Sequence, residues 1–167
     1  MDLLLILAIC FFLGSLPTAY ILVKRIFQKD IRKIGSGNPG MMNVLDNFGK
    51  RYAYFVGTID ILKGIIAVSI AKLYSPNETL AVLAGLTAIA GHDFTPFLKF
   101  KGGNGVATGG GAVLALMPFA SGIACTTGLI TAIVVKSRRF GGNIAVILVP
   151  IMGFYMNQSN ILVFGSA

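Results

Sequence analysis

Charge is scarce in this chain, and acid is scarcest. Of 167 residues only 12% are charged, with six Asp or Glu against fourteen Lys or Arg. Soluble domains carry roughly 25% charge. There is no Trp, a single His and only two Cys. One His, two separated Cys and a few acids make no cluster with metal-ligand spacing, so no metal is expected. No Gly-x-Ser-x-Gly elbow is present, and His92 has no Ser or Cys that clearly pairs with it as a nucleophile. Neither a P-loop nor a dinucleotide fingerprint fits, because Lys101 precedes its glycines and no strand–helix unit surrounds them. No cofactor is therefore expected. Cys10 and Cys125 lie in apolar runs without a CxxC, and both read as small buried hydrophobes.

What the chain has is apolar length. Hydrophobic residues make up 55% of it. Residues 3–23, 105–135 and 140–167 carry no charge. The stretch 52–74 is interrupted only by Asp60, Lys63 and Lys72, and 79–98 only by His92 and Asp93. A membrane-spanning helix needs about 20 apolar residues. The composition therefore predicts an all-α polytopic integral membrane bundle, one membrane-embedded domain over residues 1–167. Five spanning regions follow directly. The run 105–135 is long enough to be divided at Pro118 and Gly122, so the count is five to seven segments. The first run is not expected to be a signal peptide. Asp2 stands where a basic region belongs, and Pro17-Thr18 leads into more apolar residues rather than a cleavage site.

The basic residues set an orientation. Lys24, Arg25, Lys29, Arg32, Lys33, Lys50 and Arg51 fall in 24–51, Lys99 and Lys101 in a second loop, and Lys136, Arg138 and Arg139 in a third. The connection 75–79 has no basic residue and carries Glu78. This asymmetry places the three basic loops in the cytoplasm and the N-terminus outside. It also accounts for the net charge of +8 without nucleic acid, which is not expected as a partner. The lipid bilayer is.

Pro17 is expected to kink a first helix over 3–23, whose Gly14, Ser15, Thr18 and Ala19 suit close packing. Asp60 and Lys63 share a face of a second helix, 52–74, where an ionisable pair either locks packing or serves a site. A third helix runs from Thr79 to His92-Asp93 and breaks at Pro96. A last apolar region begins near Asn143 and contains Pro150. Two polar loops separate these runs. Ile34–Asn43, with Gly35, Gly37, Pro39 and Gly40, argues against regular helix. The second runs from Lys99 to Gly111. Glycines let backbone approach a ligand, and successive N–H groups can cradle an anion. Ser36, Asn38 and Asn43 add polar side chains to the first loop, and Lys101 beside Gly102, Gly103 and Gly105 adds charge to the second. The bland alternative is that Ser36 and Asn38 cap a turn and Lys101 is a topology charge.

Several segments resemble the PlsY family, the acyl-phosphate:glycerol-3-phosphate acyltransferases. Gly14-Ser15-Leu16-Pro17-Thr18-Ala19-Tyr20, then Ile31-Arg32 leading into Gly35-Ser36-Gly37-Asn38-Pro39-Gly40 and Asn43-Val44, is similar to its first signature. Asp60-Ile61-Leu62-Lys63-Gly64 looks like its D-x-x-K-G segment. Gly91-His92-Asp93-Phe94 through Lys101-Gly102-Gly103-Asn104-Gly105-Val106-Ala107-Thr108 resembles its second signature. The likeness covers roughly residues 5 to 155.

The resemblance implies an enzyme of the bacterial cytoplasmic membrane in phospholipid synthesis, with acyl-phosphate and glycerol 3-phosphate as its partners. It implies Ser36, Asn43 and His92 at the reaction site. Gly35, Gly37, Asn38, Gly40, Lys101, Gly102, Gly103 and Gly105 would bind substrate or phosphate, with Asp60 and Lys63 in support. The chain also departs from the family pattern. Met42 stands for a Thr, Asp46 for an Arg, and Asn104 for the second Lys of K-G-G-K-G. The family's third signature has at most a shadow in Asn157-Gln158-Ser159-Asn160. Four readings follow: an active enzyme with altered acceptor binding, a silent paralogue that binds lipid or a phosphorylated ligand, a C-terminally shortened member, and a small transporter.

Overall fold

The computed structural model describes residues 2–137, with 142, 144, 147, 148 and 151–153. Arg138, Arg139, most of the last apolar region and Asn157–Asn160 lie outside the described residues. Seven α-helices are described: α1 Leu3–Ser15, α2 Thr18–Phe27, α3 Met41–Phe48, α4 Lys50–Tyr74, α5 Glu78–Asp93, α6 Val106–Leu116 and α7 Pro118–Val134. Short 3-10 turns lie at Ile31–Lys33 and Pro96–Leu98. Among the described residues three stretches are long and apolar enough to cross a membrane: Leu3–Phe27, Lys50–Tyr74 and Glu78–Leu98. Helices α6 and α7 are apolar but shorter. The chain falls into two compact units, Met1–Leu116 and Met117–Ala167.

The first unit is built on glycine-mediated helix contacts. A Cβ on Gly14 would lie 2.0 Å from the Ala88 carbonyl oxygen, and one on Gly91 would lie 2.1 Å from that of Phe11. These two glycines bring α1 and α5 together. Gly64 and Gly111 do the same for α4 and α6, where a Cβ would meet the Thr108 and Ile61 carbonyl oxygens at 2.0 and 1.9 Å. Lipid supplies little hydrophobic drive between helices, so close backbone approach and van der Waals contact carry the association. Ile6, Cys10, Ala67, Val68, Ala71, Ala81, Ala84, Ala88 and Ala112 fill the core between these four helices. A second cluster of Ala19, Leu22, Val23, Ile31, Val44, Ala53 and Val56 joins α2 and α3 to the start of α4.

Pro17 splits the first span between α1 and α2, as expected from its missing N–H. The freed carbonyls need partners, since an unsatisfied polar group in hydrocarbon costs several kcal/mol. Thr95 Oγ1 donates to the Ser15 carbonyl at 2.6 Å. Lys63 Nζ donates to the carbonyl of Leu16. At the end of α6 the Ala115 carbonyl accepts from Lys72 Nζ at 2.7 Å. The two lysines that interrupt the second span are therefore both on carbonyls at helix ends.

Three expectations are corrected. The segment Ile34–Asn43 is not wholly irregular, because α3 begins at Met41 with Gly40 as its N-terminal flank. The second polar loop is shorter than expected, because Gly109, Gly110 and Gly111 already lie in α6. Cys10 is buried, but Cys125 is exposed.

Candidate functional site

The first glycine-rich loop is organised from below by Asn43. Its Nδ2 donates to the carbonyls of Ile31 and Ile34 at 3.3 and 3.0 Å. Its Oδ1 accepts from the Ser36 N–H at 3.3 Å and from Asn47 Nδ2 at 2.9 Å. Asn43 is 3% exposed, so its polar atoms serve the loop. Gly35 lies against this pair, with φ of 56° and a would-be Cβ 2.4 Å from Asn43 Oδ1. The rim is set by Asp30, whose carboxylate accepts from Arg32 Nε at 3.0 Å and Nη2 at 2.8 Å. That pairing holds the Asp30 carboxyl down at about 2. Arg32 also lies over the Tyr20 ring, 5.0 Å from its centroid.

Most glycine N–H groups expected on an anion are committed within the protein. Gly37 N–H donates to the Ile34 carbonyl and Gly40 N–H to that of Asn38. In the second loop, Gly102 N–H donates to the Asp93 carbonyl at 2.8 Å and Gly103 N–H to that of His92 at 3.1 Å. These last two close the end of α5, where carbonyls lack intrahelical donors. A Cβ on Gly102 would lie 2.0 Å from the His92 carbonyl oxygen, and one on Gly103 would lie 2.1 Å from His92 Nε2. The four glycines thus shape the loops rather than present N–H groups to a ligand. The exposed polar side chains of the two loops include Ser36, whose Oγ accepts from the Asn38 N–H at 3.4 Å, Lys101 and Asn104. Lys101 follows two residues with left-handed backbone, Lys99 at φ 56° and Phe100 at φ 60°. Neither is glycine, and each such residue costs about 1–3 kcal/mol of strain.

A buried polar cluster lies beside the second loop. Asp60 Oδ1 accepts from Lys63 Nζ at 2.7 Å. His92 Nδ1 is 3.8 Å from the same oxygen and 3.3 Å from Thr108 Oγ1. Asp60, Lys63, Thr95 and Thr108 are all buried. Thr95, Thr108 and Asn47 were not singled out from the sequence. Asn47 was legible as the helical i+4 neighbour of Asn43, had α3 been foreseen. Among the described residues no group of three His, Cys, Asp or Glu could hold a metal.

The two loops lie at one end of the first unit. The first leads into α3, and Met41 packs on Gly57 near the start of α4. The second joins the end of α5 to the start of α6, where Thr108 meets Gly64, one to two turns further along α4. Each loop is hydrogen-bonded to its own neighbours, and the helix that follows each one packs on α4. Asp46 is exposed on α3, and Asn104 is exposed in the second loop.

Apolar spans, lysines on helix-end carbonyls and a polar site among helix ends define an all-helical membrane protein. Its relatives narrow that class. The family model described as glycerol-3-phosphate acyltransferase matches residues 4–167. The chain belongs to the glycerol-3-phosphate acyltransferase family. A glycerol-3-phosphate acyltransferase of Prochlorococcus marinus is 43% identical over 161 residues, 95% of this chain and 80% of the relative. One of Thermoanaerobacter pseudethanolicus is 37% identical over 159 residues, 93% of this chain and 79% of the relative. The fold is similar to the crystal structure of PlsY (YgiH), an integral membrane glycerol 3-phosphate acyltransferase, in its glycerol 3-phosphate form. The TM-score is 0.70 at 26% identity, covering 98% of this chain and 92% of that one. The lysophosphatidic acid form of the same protein matches with a TM-score of 0.67.

Proposed function

We propose that this chain transfers a fatty acyl group from acyl-phosphate to the 1-hydroxyl of glycerol 3-phosphate, giving lysophosphatidic acid and inorganic phosphate. The observation that carries this reading is membership of the acyltransferase family over residues 4–167. An acyl-phosphate is already an activated mixed anhydride, so no enzyme nucleophile is required. The hydroxyl oxygen attacks the acyl carbonyl carbon, and the bond from that carbon to the bridging phosphate oxygen breaks. The electron pair leaves with the phosphate, which also takes the hydroxyl proton. The protein's contribution is to hold two anions in register and stabilise charge at the carbonyl.

In this scheme Lys101 meets a phosphate, with the backbone about Gly35 and Gly105 alongside. Ser36 and Asn38 hydrogen-bond substrate oxygens. Asn43, Gly37, Gly40, Gly102 and Gly103 keep the loops in shape, and His92 forms the inner wall of the second. The protein lies in a bacterial cytoplasmic membrane, crossing it five to seven times, with its N-terminus outside and its glycine-rich loops inside.

The test supplies purified protein with acyl-phosphate and labelled glycerol 3-phosphate. Lysophosphatidic acid is expected from acyl-phosphate and none from an acyl thioester. Absence of product at saturating acceptor would overturn the reading. Asp46 and Asn104 favour a second reading, a paralogue that binds without turnover, since both reduce positive charge near the phosphates. Product arising only after Asp46→Arg with Asn104→Lys would select it.

A further inference from the structure

The Asp60–Lys63 pair takes no part in the transfer step, yet it is nearly sealed from solvent, at 1% and 3% exposure. Burying two charges costs several kcal/mol per ion after relaxation, and well-packed apolar residues are often the more stable choice. What the pair touches accounts for its presence. Lys63 Nζ holds the Leu16 carbonyl, where α1 gives way to α2. Asp60 Oδ1 faces His92 Nδ1, which also meets Thr108 Oγ1.

Each end of this chain of contacts leads to a different glycine-rich loop. From Leu16, α2 runs to Tyr20, on which Arg32 stacks. It continues to Leu22 and Val23, which pack with Ile31 and Val44 around the first loop. From His92 the backbone carbonyl accepts the Gly103 N–H, and the ring fills the space where a Gly103 side chain would go.

We infer that Asp60, Lys63 and Thr108 are positioning residues that fix the two glycine-rich loops relative to each other, with Lys63 on α4 holding the Leu16 carbonyl and Asp60 on α4 and Thr108 on α6 flanking the His92 ring. This rests on the acyl-transfer reading of those loops. Each loop keeps its own hydrogen bonds without the pair, so each still binds its anion. What the pair supplies is the distance between the two anions, and hence the approach of hydroxyl to carbonyl. Small misplacements of reacting groups cost up to about a hundredfold in rate.

The test uses the full chain in detergent. Lys63→Met alone leaves Asp60 buried and unpaired, so the informative variant is Asp60→Asn with Lys63→Met, which removes both charges together. Thr108→Val is the near-isosteric companion. The double variant should keep a cooperative melt and lose kcat by about tenfold or more. Its KM for each substrate should stay within about threefold. His92 is the only histidine, so its ring resonances in labelled protein report this site alone, and they should shift together with the Gly103 amide. Wild-type kcat per folded molecule in both variants would overturn the inference. So would unchanged His92 and Gly103 signals. If the unaltered protein makes no lysophosphatidic acid, the acyl-transfer reading fails separately. The ring and amide signals then still decide whether the pair sets the second loop.

Discussion

Asn43 has both amide protons and its carbonyl oxygen engaged under the first loop. Truncating it leaves the Ser36 N–H without its acceptor and takes the second donor from the Ile31 and Ile34 carbonyls, which keep the N–H groups of Ile34 and Gly37. Asn43→Ala should therefore destabilise the protein by about 1–3 kcal/mol, the cost of one group left unpaired. A lowered melting temperature in detergent, larger than for Asn38→Ala, is the measurement. At the rim, the Asp30 carboxyl is held down from 3.8 to about 2, chiefly by its hydrogen bonds to Arg32. A depressed folded-state value means the stabilisation is present above the unfolded value of 3.8 and is lost as pH falls towards about 2. Asp30→Asn should thus lower the melting temperature at pH 6 and make no difference near pH 2. An equal effect at both values would remove the ion pair as the cause. The sequence exposed Ser36, Asn38 and Lys101 as chemistry-bearing because polar residues among glycines stand out between apolar runs. It could not tell that the N–H groups of Gly102 and Gly103 were already engaged. That depends on where the end of α5 lies, which is a matter of tertiary packing.

The helices are held at glycines, and neighbouring glycines on one helix make the point testable. Gly111 has the Ile61 carbonyl against it, whereas Gly110 has nothing within 4 Å. Gly111→Ala must push α6 from α4 and should cost about 3 kcal/mol or more, at the upper end of overpacking penalties. Gly110→Ala should be neutral or slightly stabilising, because alanine favours helix by about 1 kcal/mol over glycine. Thermal melts of the two variants side by side decide it, and equal effects would dismiss the contact. This same pair explains why the second loop was read too long. A run of glycines looks like loop in one dimension, but in α6 they are helical because α4 comes so close. In the same way Pro39-Gly40 concealed α3. Both sit just before its first turn, where they are compatible with a helix start. The helices over 50–74 and 78–93 were legible to within two residues or so, since long apolar runs bounded by charge and by Pro76 leave little freedom.

Across the first unit, helix direction and charge tell one story. Residues 11 to 15 of α1 meet residues 88 to 95 around the end of α5, and Gly85 on Val68 across the turn 75–77 makes α5 antiparallel to α4. Lys63 on Leu16 and Cys10 on Ala67 make α4 antiparallel to α1. Thr108 at Gly64 and Ala115 at Lys72 make α6 run with α4. The basic residues 24–51 and Lys99 and Lys101 therefore belong to one end, and Glu78 to the other. The positive-inside rule predicts that the basic end faces the cytoplasm. Labelling with a membrane-impermeant maleimide tests the whole arrangement. The exposed Cys125 is first replaced by serine, and Cys10 is buried. Single cysteines then go in at Lys33, Asn77 and Asn104, all exposed. In intact cells Asn77→Cys should react, and Lys33→Cys and Asn104→Cys only after permeabilisation. The reverse pattern would invert the topology but leave the paired loops intact. Lys33 and Asn104 reacting from opposite sides would do more. It would place the two glycine-rich loops across the bilayer from each other, and no single pair of phosphates could then be held between them.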